Sequence, residues 1–100
     1  MRLYNQNLPK PSFNIDDYLM NNVVYPKYAQ RNKIEGRVVL NFMVDTNGVI
    51  SKVKIVRGLG GGCDEEAIRL ISEMPTWIPG RQNKRKVCVS YTIPVWFKLD

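Results

Sequence analysis

The sequence predicts an α+β domain of two layers, a three-stranded antiparallel sheet carrying two or three helices on one face. Three observations lead there. Residues 36–44 and 87–99 alternate between apolar and polar side chains, the period of a half-buried strand. Asp45-Thr46-Asn47-Gly48 separates the first of these runs from another alternating stretch, with residues that tolerate a positive φ. Three further segments space their apolar residues as helices do, and strands and helices mixed in this way pack as two layers. With 44% apolar content in 100 residues, there is material for one core and one domain, expected over residues 14–100.

Residues 1–13, with Pro9 and Pro11 and no hydrophobic period, read as an extended lead-in or the end of a linker. Asn14 is a fitting N-cap for a short helix over residues 15–20, with Asp16 and Asp17 in its first turn and Ile15, Tyr18 and Leu19 on one face. Asn21-Asn22 should break it. Pro26 restarts a helix over residues 26–33, because proline at the first helical position sacrifices no intrahelical bond. Val38, Leu40, Phe42 and Val44 then form the inner face of a strand, and residues 49–57 return as the other arm of a hairpin, with Val53 and Ile55 inward. Gly58 to Gly62 read as a flexible connection. Asp64-Glu65-Glu66 opens a helix whose face is Ala67, Ile68, Leu70, Ile71 and Met74, and Pro75 stops it. Trp77-Ile78-Pro79-Gly80 reads as a turn with Trp77 in the core, and residues 81–86 as a basic loop. The final segment, residues 87–99, puts Val87, Val89, Tyr91, Ile93, Val95, Phe97 and Leu99 on one face. Cys88, Ser90, Thr92, Pro94, Trp96 and Lys98 share the other.

Pro94 has no N–H to give to a central ladder, so this last strand is expected at a sheet edge. A long edge strand with an apolar inner face is normally blunted unless a partner is meant to pair with it. The remaining composition narrows the function. There is no histidine, which removes the side chain most used for general acid-base chemistry and metal ligation. Asp64, Glu65 and Glu66 are explained by the helix dipole, and Cys63 beside them could have a lowered pKa but lacks a base. No catalytic residue, metal site or cofactor is therefore expected. Cys63 and Cys88 are too few for a disulfide framework and are read as free, half-buried thiols. The glycine run lacks the lysine and serine of a phosphate cradle. No apolar run approaches the ~18 residues of a membrane-spanning helix. The net charge of +6 favours acidic partners. A basic nucleic-acid-binding sheet is the rival reading, disfavoured because one strand face is needed for the core and the other lacks an aromatic pair.

Taken together, the distributed set of residues resembles the TonB C-terminal domain family. The set runs from Tyr25-Pro26 with Ala29 through Glu35-Gly36, Asp45 and Asn47-Gly48, Val53 and Ile55, Asp64 and Ala67, Trp77 with Pro79-Gly80, to Pro94 and Phe97. The stretch from Gly60 to Ala67 looks like a branch common in gut-type Gram-negative bacteria. The resemblance implies the periplasmic tip of a transducer that is anchored in the inner membrane by an N-terminal segment, where motor proteins engage it. It also implies a partner, the TonB box of a TonB-dependent outer-membrane transporter, which joins the sheet beside the last strand to drive nutrient uptake. By position this assigns docking to Val87, Val89, Ser90, Tyr91, Thr92, Ile93, Val95, Trp96 and Phe97, with Asn22, Val23 and Val24 contributing from the segment before Tyr25. The longer helical lead-in over residues 15–20 departs from the family pattern and could cover part of the sheet. Arg81, Lys84, Arg85 and Lys86 are expected to assist by charge. A homodimer is a competing arrangement, and the same fold also occurs in sensors and envelope-fused proteins, so fold alone leaves the role open.

Overall fold

In the computed structural model, residues 8–99 are described, and residues 1–7 of the lead-in expected over residues 1–13 lie outside them. Pro9 is fully buried, and the next two residues form β1 (Lys10–Pro11), which pairs antiparallel with Ile78 and Trp77. Ser12 adds a hydroxyl bond to the Thr76 carbonyl at 2.8 Å. Helix α1 (Ile15–Asn22) starts as expected: Asn14 Oδ1 accepts the Asp17 N–H at 3.0 Å. It continues through Asn21-Asn22 rather than breaking there, because the Asn22 amide turns back to the Tyr18 carbonyl at 2.7 Å and so supports the last turn. Helix α2 (Lys27–Arg31) is shorter than expected, with Pro26 as its N-cap. Lys33, at φ 53°, takes the left-handed conformation that ends it.

Strand β2 (Gly36–Val44) has the bounds that its alternation predicts, and β3 (Ile50–Arg57) returns antiparallel beside it. Their turn depends on Asp45, whose Oδ1 accepts from Asn47 N–H at 2.8 Å and Val49 N–H at 2.9 Å, and on Gly48 at φ 79°. A Cβ at Gly48 would lie 1.9 Å from the Trp77 carbonyl oxygen, so no other residue fits there. The glycine run is not a loose connection. Asp64 Oδ1 accepts the N–H groups of Leu59 and Gly60 at 2.8 and 3.1 Å, while Gly60, Gly61 and Gly62 all take positive φ ahead of α3 (Cys63–Ser72).

The chain then makes β4 (Trp77–Ile78), where a turn was expected, because those two residues pair with β1. The expected basic loop is a second hairpin, β5 (Gly80–Gln82) and β6 (Arg85–Val87). Asn83 and Lys84, both at positive φ, form its turn, the geometry that suits the twist of two closely paired strands. The last alternating run is consequently divided. Val87 belongs to β6, and β7 (Val89–Phe97) begins after Cys88. The main sheet runs β3-β2-β7, so β7 is an edge, as Pro94 indicated. Between sheet and helices lie Val38, Leu40, Phe42 and Val44 from β2, Ala67, Leu70 and Ile71 from α3, and Val95 and Phe97 from β7. Trp77 joins this core, only 3% exposed, with Phe42 and Tyr91 edge-on at 5.3 and 5.1 Å.

Candidate functional site

Strand β7 is held by nine consecutive partners on β2, from Phe97 opposite Gly36 to Val89 opposite Val44, without a bulge. Of its inner side chains, Val95 and Phe97 lie in the core, Tyr91 and Ile93 pack against it, and Val89 is half-buried. Ser90, Thr92, Pro94 and Trp96 are exposed on the other face. Asn41 steadies that face by donating to Ser90 Oγ at 2.8 Å and Thr92 Oγ1 at 2.9 Å. Among the described residues, no strand pairs with the second side of β7. A row of backbone donors and acceptors has no strand partner there, on a strand of unbroken register.

Helix α1 stands beside this edge. A groove of about 600 Å³ separates them, walled by Ile15, Leu19, Met20 and Val23 on one side and by Ile93 through Trp96 on the other. Trp96 is 55% exposed at its rim, with the Arg37 guanidinium 5.8 Å and the Lys98 ammonium 5.5 Å from its ring centroid. The helix is moored through α3. Tyr18 donates to the Leu70 carbonyl at 2.6 Å, and Arg69 donates to the Asn22 carbonyl at 2.9 Å. Glu66 accepts the Val24 N–H at 2.7 Å and pairs with Arg69 at 2.7 Å. Arg69 and the Val24 N–H hold the Glu66 carboxyl below its usual range against the opposing effect of burial. Burial raises the Tyr18 pKa, with the nearby Glu73 charge acting in the same direction.

The residues singled out in the sequence therefore fall into two places. Val89 to Phe97 and Val23 share the groove and its edge, and Asn22 and Val24 sit at the mooring, where their backbone groups bind α3. Val87, Arg81, Lys84, Arg85 and Lys86 belong to the basic hairpin, apart from the groove lining. Sequence reasoning did not connect Arg37 or Lys98 with Trp96: Lys98 lies two residues on along the same strand face, and Arg37 is brought there by its position opposite Trp96 on β2. It did not see the Glu66–Arg69 mooring either, although the i, i+3 spacing of the pair was visible. The two thiols are free, but Cys63 is fully buried and Cys88 exposed, where both were expected half-buried. The Cys63 pKa is raised rather than lowered: burial dominates, and Asp64 and Glu65 add like charge. Among the described residues no cluster of three potential ligands could hold a metal ion, and no helix is long and apolar enough to cross a membrane.

Fold and site together define a small two-layer α+β domain that keeps one regular sheet edge open beside a helical wall. The family model for the Gram-negative bacterial TonB protein C-terminal region matches residues 21–99, and the chain belongs to that family. It is thus a TonB-type periplasmic interaction domain. The NMR structure of the Helicobacter pylori TonB C-terminal domain is similar, with a TM-score of 0.62 at 22% identity over 86% of this chain and 78% of that one, a likeness of fold. No curated protein matches the chain.

Proposed function

We propose that the domain takes an extended segment of an outer-membrane transporter, its TonB box, as a fourth strand along β7. In this reading it is the tip of a transducer anchored in the inner membrane, and force reaches the transporter through the joined strands, loaded in shear. The observation that carries the proposal is the open side of β7, regular over its whole length and without a backbone partner among the described residues. Proline fits an unbroken ladder where its nitrogen faces away from the neighbour. That places the outward backbone groups on Ser90, Thr92, Pro94 and Trp96, with N–H donors on all but Pro94. Each backbone bond contributes about 0.5–1.5 kcal/mol net, and association costs ~4 kcal/mol or more. Strand addition alone is therefore weak, and side chains or charge must supply the rest.

Arg81, Lys84, Arg85 and Lys86, all exposed on the second hairpin, are proposed to raise affinity through long-range attraction. Titration calorimetry with a synthetic TonB-box peptide is the test. The expected outcome is micromolar binding that weakens as salt rises from 0.05 to ~0.5 M, where the Debye length falls below ~5 Å. Binding indifferent to salt would remove the hairpin from the account. No binding of any transporter-derived peptide would remove the account itself.

A further inference from the structure

We infer that the face of the main sheet turned away from the helices docks on a bilayer surface rich in anionic lipid, with Trp96 seated at the interface. This goes beyond strand addition, because it uses the face of the sheet and not its edge. Register defines the face. Arg37, Val39, Asn41 and Met43 alternate with the buried side chains of β2 and so point away from the core. Pairing extends the face to both sides. On β3, Arg57 and Lys54 stand opposite Val39 and Asn41; on β7, Trp96, Pro94 and Thr92 stand opposite Arg37, Val39 and Asn41. Arg37 and the β3 and β7 members are exposed. Nine residues of β2 and three strands make a face about 30 Å long and about 10 Å wide between the outer backbones.

Charge is divided between the two layers. The main sheet carries Arg37, Lys52, Lys54 and Arg57 and no carboxylate. The three helices carry five carboxylates, Asp16, Asp17, Asp64, Glu65 and Glu66, against three cations, Lys27, Arg31 and Arg69. Both ion pairs among the described residues belong to Arg69, so neither neutralises a cation of the sheet. Glu35 and Asp45 flank β2 at its two ends, and Asp45 is taken up by the turn it caps. Stacked layers lie about 10 Å apart, roughly one Debye length at 0.1 M salt. A surface touching the sheet therefore meets its cations directly and the helical carboxylates only through screening.

The apolar residues among these cations select the occupant. Trp96 is 55% exposed between the Arg37 guanidinium and the Lys98 ammonium, and Val56, beside Arg57, is 60% exposed. An indole flanked by long cationic side chains settles at headgroup level, its ring toward the acyl boundary and the charges toward the phosphates. Cations spread over an open face meet many headgroups at once, whereas a single polyanionic chain is held best in a groove that tracks it. A nucleic-acid platform stacks two or three bases on its aromatics, and this face offers one ring. A second copy of this chain would oppose like charges. A periplasmic domain has a bilayer on either side, and each cation near an anionic surface contributes about fivefold to binding. The open side of β7 points within the plane of the sheet, so a docked domain presents that edge along the membrane.

Co-sedimentation of the domain with vesicles of phosphatidylcholine alone, and with about one-third phosphatidylglycerol, tests the inference. The anionic vesicles should bind at least roughly tenfold more tightly, and lipids brominated on the acyl chain should quench Trp96. Lys54→Gln with Arg57→Gln should weaken that binding at least about tenfold, whereas Lys27→Gln with Arg31→Gln, which removes the same charge from α2, should weaken it less than about threefold. All four residues are exposed, so both variants should fold. Equal weakening by the two pairs would mean that net charge and not this face drives binding. Loss confined to Arg85→Gln with Lys86→Gln would place the contact on the second hairpin, and binding to heparin but to neither vesicle would make the partner a polyanionic chain. Each of these outcomes, like no binding at all, overturns the inference and leaves strand addition standing.

Discussion

The two edges of the main sheet have been treated differently. At β3, pairing with β2 shifts register twice, between Val39 and Leu40 and between Asn41 and Met43, and Lys52 sits at φ 51°. Lys52, Lys54 and Arg57 line it, all exposed. Bulges and cations are the usual means of preventing an edge from capturing another chain. At β7 there is no bulge over nine pairs, and the exposed positions are Ser90, Thr92, Pro94 and Trp96. Only the missing donor of Pro94 interrupts its open side. In one sheet, then, the protections against strand capture stand on one edge and are nearly absent from the other, which fits a domain that uses β7 for pairing.

The largest effect should come from breaking both edges at once. Phe42 on the central strand touches Trp77 and Tyr91, and Phe42→Ala should cost about 3–5 kcal/mol in urea unfolding. Peptide binding should fall only as far as the folded fraction does. Glu66→Gln is more selective, because it releases the segment between α1 and α2 without touching either strand. Loss of its charged hydrogen bonds should cost about 1–3 kcal/mol at pH 7. Since folding lowers the Glu66 pKa, its contribution is present above the unfolded value near 4.3 and disappears as pH falls through the folded value. Wild type and variant should therefore converge in stability in acid; a constant difference from pH 7 to 2 would show that the carboxylate charge is not what moors the helix.

How much of this was legible beforehand differs along the chain. The alternation in β2 is uninterrupted, so its bounds were readable to the residue, and one proline placed β7 at the edge. The β1–β4 pairing was not, because two-residue strands carry no period and their partners lie far apart in sequence. The basic hairpin was hidden by composition: Arg81, Lys84, Arg85 and Lys86 read as a solvated loop, and its Asn83-Lys84 turn lacks the glycine that usually announces one. One of the two β3 irregularities, opposite Asn41 to Met43, contains a left-handed lysine, Lys52, a conformation that nothing local favours. At the site, the open edge was foreseen, whereas of the two cations around Trp96 only Lys98 shares its strand face in sequence, and Arg37 arrives through the β2–β7 pairing.

The smallest expected effect sharpens the contrast between the edges. Lys52→Gly removes the cost of a left-handed side chain, partly offset by glycine's greater unfolded-state freedom, and should stabilise the domain by about 0.5–1 kcal/mol in thermal unfolding. Affinity for a β7-bound peptide should not change.

Backbone amide exchange by NMR, with and without a transporter-derived TonB-box peptide, puts the asymmetry to its most direct trial. Protection should rise at Ser90, Thr92 and Trp96, while the outward amides of β3 keep exchanging at their original rates. Protection that appears along β3, or on neither strand while the peptide is demonstrably bound, would contradict the assignment of β7 as the receiving edge.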